Sequence, residues 1–164
     1  MNAGNKDEVK YVRLRVVGGE PAGGASLAQK VGPLGFNAKQ VGENIAKETT
    51  AFKGYKIGVL LTIVARQMTI TPEPGTSALV LKELKETPRD RKKVKNVQHS
   101  GSLSLAAVTS IARIQRTRSL SKTLAGSVKE VLGTCLSVGC LVDGESPKDI
   151  TKKIQEGEIV IADE

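Results

Sequence analysis

Alternating apolar and polar positions open the folded part of the chain. In Lys10–Val17 (KYVRLRVV), Val12, Leu14 and Val16 oppose Tyr11, Arg13 and Arg15, which predicts a half-buried strand. The glycines of 18–24 (GGEPAGG) and the Gly32-Pro33-Leu34-Gly35 turn then break regular structure. From Asn37 to about Thr50 the period becomes helical through Ala38, Val41, Ile45 and Ala46, with Asn37 as N-cap. Residues 56–65 (KIGVLLTIVA) read as an apolar strand and 67–71 (QMTIT) alternate again, with Arg66 at a tight turn between them. Residues 10–71 are therefore expected to form a small α/β domain with a three-stranded sheet, behind a disordered stretch at 1–9.

Pro72, Pro74 and Gly75 mark a hinge at 72–76, because the prolines favour extended backbone and the glycine ends the run. Beyond it the apolar periods are helical. One short helix is expected over 77–85 and a second over 102–115, capped by Ser102. A third starts at Ser119 or Ser121 and runs to Val138, with Gly139 just past its end. Ser146-Pro147-Lys148-Asp149 starts a fourth that stops at Gly157. The fold class is α+β: an N-terminal α/β domain, then an all-α helical bundle over 77–157 with an acidic tail at 158–164.

Charge sharpens this picture. Residues 1–81 hold 10 basic and 6 acidic side chains, 82–118 hold 10 and 3, and 119–164 hold 5 and 8. The excess peaks in the loop 86–101, where Arg89, Arg91, Lys92, Lys93 and Lys95 face only Asp90. This stretch has no apolar period, so it is expected to be mobile until a phosphate backbone neutralises it. The four aromatic residues all lie in the first third, so the basic half has no platform for stacking bases. A nucleic acid bound there is read by backbone and shape.

Other chemistries are poorly supplied. Two cysteines five residues apart and one histidine cannot make a zinc finger, and the thiols read as small apolar residues of a reduced protein. The loop 18–24 lacks the P-loop ending and the dinucleotide-site spacing. His99 stands isolated in the basic loop, solvated or on RNA; an enzyme would need it grouped with a carboxylate. No cofactor, membrane span or small-molecule substrate is indicated.

On the helix that ends at Val138, Leu124, Val128, Val131, Leu132, Cys135 and Val138 form the core stripe, while Gly126, Gly133, Thr134 and Ser137 lie off it. A glycine inside a helix costs roughly 1 kcal/mol relative to alanine. Two readings stand: Gly133 lets another helix pack closely, or it admits a ligand's backbone beside two hydroxyls that bond ribose or phosphate. The alternative class is a helix-turn-helix-like DNA-binding module built on 102–115 and 121–138, but its reading side chains would be too short for base edges.

The residues 31–35 (VGPLG), 88–93 (PRDRKK), 99–101 (HSG), 133–139 (GTCLSVG) and 138–144 (VGCLVDG) resemble the L-eleven family of large-subunit ribosomal proteins, in its eukaryotic cytosolic branch. The resemblance implies a protein of the cytoplasmic ribosome, with nucleolar assembly, that binds the GTPase-associated centre of large-subunit rRNA at the stalk base. Rigid contacts would come from Gly126, Lys129, Gly133, Thr134 and Ser137. Contacts that order on binding would come from Arg89, Arg91, Lys92, Lys93, Lys95, Asn96 and Ser100. Gly32, Pro33, Leu34 and Gly35 would face GTP-hydrolysing translation factors, beside a stalk scaffold protein and acidic stalk proteins. Pro21 and Pro33 remain, but residues 23–30 lack the prolines of bacterial members, which implies weak thiopeptide sensitivity.

Overall fold

The computed structural model describes residues 8–86, 93 and 99–162, divided into compact units at Ala78 and Leu79. The expected disordered stretch falls outside these residues except for Glu8 and Val9, as does the basic run except for Lys93.

The first unit is an antiparallel sheet covered by helices. Strand β1 (Lys10–Val17) pairs with β2 (Lys56–Val64), which pairs with β3 (Gln67–Glu73), in the order β1-β2-β3. Central β2 buries Ile57, Val59, Leu61 and Ile63 at every second position, as a strand's two-residue period requires. The β2–β3 turn places Ala65 (φ 46°) and Arg66 (φ 67°) in left-handed backbone, which matches the strand twist but strains two residues with side chains. The β3 strand continues further than expected: Pro72 pairs with Val59 and Glu73 with Gly58. Pro72 is tolerated because β3 is an edge strand.

Helix α1 (Ala25–Val31) has no counterpart in the expected elements. It is short and its N-cap, Gly24, makes no side-chain cap; its signal is two apolar residues one turn apart, Leu27 and Val31. A 3₁₀ turn follows at Gly32–Leu34, closed by Gly35 at φ 83°. Helix α2 (Ala38–Glu48) begins at Asn37, whose side chain accepts from the Lys39 N–H. Leu27, Val31, Val41 and Ile45 join Ile57, Val59 and Leu61 of β2 and Ala78 in one core.

The second unit holds α3 (Thr76–Glu83), β4 (Ser102–Leu103), α4 (Leu105–Gln115), α5 (Leu124–Val138), β5 (Leu141–Val142) and α6 (Pro147–Gln155), the first residues of α3 belonging to the first unit. Its core contains Val108, Ile111, Val128, Leu132, Cys135 and Ile150. The expectation of a purely helical bundle missed a two-stranded parallel ladder, in which Ser102 pairs with Leu141 and Leu103 with Val142. Two residues per strand give too short an alternation to read, and the partners lie far apart in sequence. Ser102 is thus a strand residue, and Ser104 caps α4 by accepting from the Ala107 N–H.

Thr123, rather than Ser119 or Ser121, caps α5 by accepting from the Gly126 N–H. At the other end Gly139 adopts the left-handed cap conformation, as its position suggested. Helix α6 has Ser146 as N-cap, Pro147 in its first turn and Gly157 at φ 80° past its end. The start of the acidic tail is tied back: Glu158 and Ile159 both donate to the Lys153 carbonyl.

Candidate nucleic-acid interface

The outer face of α5 is built by what its inner face buries. Leu124, Val128, Val131, Leu132 and Cys135 are inside the core, so the helical period turns Gly126, Lys129, Gly133 and Ser137 outward together. Gly133 and Ser137 are exposed; Lys129, Gly126 and Thr134 are half-buried. The two glycines differ. A Cβ on Gly133 would meet nothing within 4 Å, whereas one on Gly126 would lie 2.8 Å from Ser121 Cβ. Gly126 is therefore explained by packing inside the unit. Gly133 is not, so among the described residues no helix packs closely on it. Its conformational cost has no offset within the described residues.

Hydroxyls complete the ridge. Thr134 Oγ1 donates to the Glu130 carbonyl at 3.3 Å, so its lone pairs point away from the helix backbone. Glu130 is exposed on the same outward arc, a carboxylate that sequence reasoning did not weigh. A small, flat helical surface of this kind suits the wide, shallow minor groove of folded RNA, where 2′-hydroxyls and phosphates are reached by short groups.

The base of the basic segment is fixed close to this helix. Glu86 accepts a hydrogen bond from His99 Nδ1, and a Cβ on Gly101 would lie 2.8 Å from Leu84 Cδ2, so the residues flanking the segment meet. The Leu141 N–H donates to the Gly101 carbonyl at 3.0 Å, joining the exit of the segment to the chain that leaves α5. Asp143 (φ 49°) and Gly144 (φ 77°) form the turn behind β5, and the Asp143 N–H donates to the Leu103 carbonyl at 2.7 Å. That turn explains the Asp-Gly pair in the chain. Ser100 and Lys93 are exposed; Arg89, Arg91, Lys92, Lys95 and Asn96 lie outside the described residues.

His99 is not a solvated imidazole: its side chain is 13% exposed and partnered by Glu86. This is the histidine–carboxylate grouping that an enzyme would need. Cys140 is buried, and its ionisation is pushed up by burial and, to a smaller degree, by the Glu86 charge. Burial and the neighbouring Cys140 push Cys135 up to about 12. Protonated, enclosed thiols are poor nucleophiles. Among the described residues no cluster of three or more His, Cys, Asp or Glu could hold a metal, and no helix is long and apolar enough to cross a membrane. A pocket of about 230 Å³ beside β1, lined by Arg15, Glu20, Pro21 and Leu27 among others, offers one carboxylate and no nucleophile.

Sequence reasoning also missed Arg116. Its guanidinium donates to the Ser121 carbonyl (2.6 Å), the Ser121 hydroxyl (3.1 Å), the Ser127 hydroxyl (3.4 Å) and the Lys122 carbonyl (2.7 Å). Ser119, Ser121 and Ser127 also bond one another at 2.7–3.1 Å. This explains why neither Ser119 nor Ser121 is free to cap α5. The connection 116–123 is also longer than the three- or four-residue turn of a helix-turn-helix. Gly32, Pro33 and Gly35, expected from the resemblance to face factors, are exposed in the first unit and Leu34 is half-buried.

Comparison with known proteins agrees with this geometry. Residues 12–68 match the family model "Ribosomal protein L11, N-terminal domain" and residues 72–142 match "Ribosomal protein L11, RNA binding domain". The chain is 54% identical over 158 residues to the large ribosomal subunit protein uL11A of Schizosaccharomyces pombe, covering 96% of each. It is 54% identical over 155 residues to uL11z of Arabidopsis thaliana, covering 94% of this chain and 93% of the relative. The uL11 protein of Encephalitozoon cuniculi is 52% identical over 162 residues, covering 98% and 97%. These relatives are ribosomal proteins rather than enzymes. A two-part match across nearly the whole chain, with the fold it requires, places this chain in the ribosomal protein L11 family.

Proposed function

We propose that the chain is a non-catalytic constituent of the large ribosomal subunit that binds the GTPase-associated centre of large-subunit rRNA at the base of the stalk. The α5 ridge of Gly126, Lys129, Gly133, Thr134 and Ser137 lies against the shallow groove of the folded RNA. Arg89, Arg91, Lys92, Lys93 and Lys95, with Asn96 and Ser100, neutralise phosphates around it. The turn at Gly32, Pro33, Leu34 and Gly35 faces GTP-hydrolysing translation factors, near the stalk scaffold protein and acidic stalk proteins. The hinge is proposed over Pro72, Pro74 and Gly75, of which Pro72 pairs in β3, while the compact units divide further on, between Ala78 and Leu79. The protein works in the cytoplasm after nucleolar assembly.

The observation that carries this reading is the open space over Gly133 in a family with an RNA-binding domain. A glycine that costs helix stability and meets nothing among the described residues is explained by an external backbone. If Lys129 and the five cations of the segment each neutralise one phosphate, log K falls with log salt at a slope of roughly −4 to −5.

Filter binding of the full chain to the isolated GTPase-associated rRNA fragment tests the reading. Gly133→Glu is expected to abolish binding by clash and repulsion, and duplex DNA is expected to compete poorly. Wild-type affinity in that variant, or a flat salt response, overturns it.

A further inference from the structure

The α4–α5 connection carries an unusual apex. Leu120 is 98% exposed, between Arg118 and Lys122, both also exposed. A single exposed leucine is ordinary. What sets this one apart is the construction beneath it. Arg116 spends its guanidinium on the Ser121 and Lys122 carbonyls and the Ser121 hydroxyl of the same connection, and on the hydroxyl of Ser127 in α5, which is 1% exposed. Charge-assisted bonds of this kind hold a loop in one conformation. Most connections of this length leave their tips loosely held. Here several side chains are committed to fixing a tip whose most prominent group is apolar.

Position supplies the second observation. Ser121 lies against Gly126, on the outward arc of α5 that also carries Lys129 and Gly133. The connection is thus continuous with the ridge. Its two flanking cations match a phosphate backbone, while its apex has no charge or hydrogen-bonding group.

We propose that residues 118–122 are a preorganised extension of the RNA-binding surface: Leu120 packs on the face of an unstacked base or ribose, and Arg118 and Lys122 engage the adjoining phosphates. Arg116 is the positioning residue that holds the apex in place. Apolar wedges against bases are an established way for proteins to grip nucleic acid, and a leucine supplies one in a region without aromatics. This inference rests on the reading of α5 as the RNA face.

The two contributions separate by salt. Binding of the full chain to the isolated rRNA fragment is measured across a salt series for Leu120→Ala, Arg118→Ala, Lys122→Ala and Arg116→Lys, with thermal midpoints for each. Leu120→Ala is expected to weaken binding about five- to ten-fold at every salt concentration, leaving the slope and the midpoint unchanged. Arg118→Ala and Lys122→Ala each lower the slope by about 1. Arg116→Lys weakens binding, and in its background Leu120→Ala loses most of its effect, since the two act as a unit. Wild-type affinity in Leu120→Ala, or an additive double variant, overturns the inference. Gly133→Glu serves as the control. If it abolishes binding while Leu120→Ala does not weaken it, the apex inference alone fails; if it too binds normally, the reading of α5 fails.

Discussion

Replacing Gly133 with alanine should move stability and function in opposite directions. The added methyl meets nothing within 4 Å, and the helix around it is regular, so no clash opposes the better helix propensity. Glycine to alanine inside a helix is worth about 0.8–1.0 kcal/mol, which corresponds to a rise in melting temperature of about 2–4 °C for a chain of this size. On the proposed reading of α5, the same methyl would intrude on a close contact with RNA. Overpacking of a fitted surface costs roughly 1–3 kcal/mol, equivalent to about a five- to 150-fold loss of affinity. Thermal denaturation of the free protein and filter binding to the rRNA fragment read the two halves separately. Gly126→Ala provides the contrast, since its methyl must displace Ser121 and it should destabilise the free protein. A Gly133→Ala protein that melts higher and binds RNA as tightly as the parent would refute the reasoning, because the glycine would then have no purpose on that face.

The remaining expectations address other parts of the molecule. Glu130→Gln removes an exposed carboxylate from the ridge and should tighten RNA binding about two- to three-fold at low salt, the gain fading as salt screens it; unchanged affinity at low salt would place Glu130 outside the field of the RNA. Burial raises the Cys135 thiol from 9.0 to about 12, so between those values the folded state holds a proton that the unfolded state releases. Stability should therefore fall as pH rises above 9, by at most about 1.4 kcal/mol per pH unit from this group, and Cys135→Ala should flatten that part of a denaturation series. The paired change Ala65→Asn with Arg66→Gly puts suitable residues at two left-handed turn positions and should raise stability by about 1 kcal/mol in a urea titration.

Legibility in the sequence followed how much of each signal is local. Strand β1, Asn37 as a cap, the tight turn at Arg66, Gly139 and the start of α6 are each written in a few adjacent residues. The structure has all of them. What was missed depends on partners distant in the chain. Ser102 reads as a helix cap until Leu141 is seen to pair with it. Ser119 and Ser121 read as caps until Arg116 is seen to occupy them. The same holds at the site. The α5 stripe exposed the ridge from periodicity alone, but only the geometry separates Gly126, which packs on Ser121, from Gly133, which packs on nothing. His99 looked isolated because Glu86 lies across the basic segment.

The pairing of β4 with β5 also bears on how the protein is made. Ser102 must wait for Leu141 before its ladder closes. At 5–20 residues per second, synthesis leaves an interval of roughly two to eight seconds in which the cationic stretch has emerged from the translating ribosome without the strand that later ties down its exit. During that interval a polycation is tethered beside rRNA that is not its target. A nascent-chain crosslinking experiment would find that stretch on ribosomal exit-side RNA while Leu141 is still inside the exit tunnel, and released from it once the strand has emerged and paired.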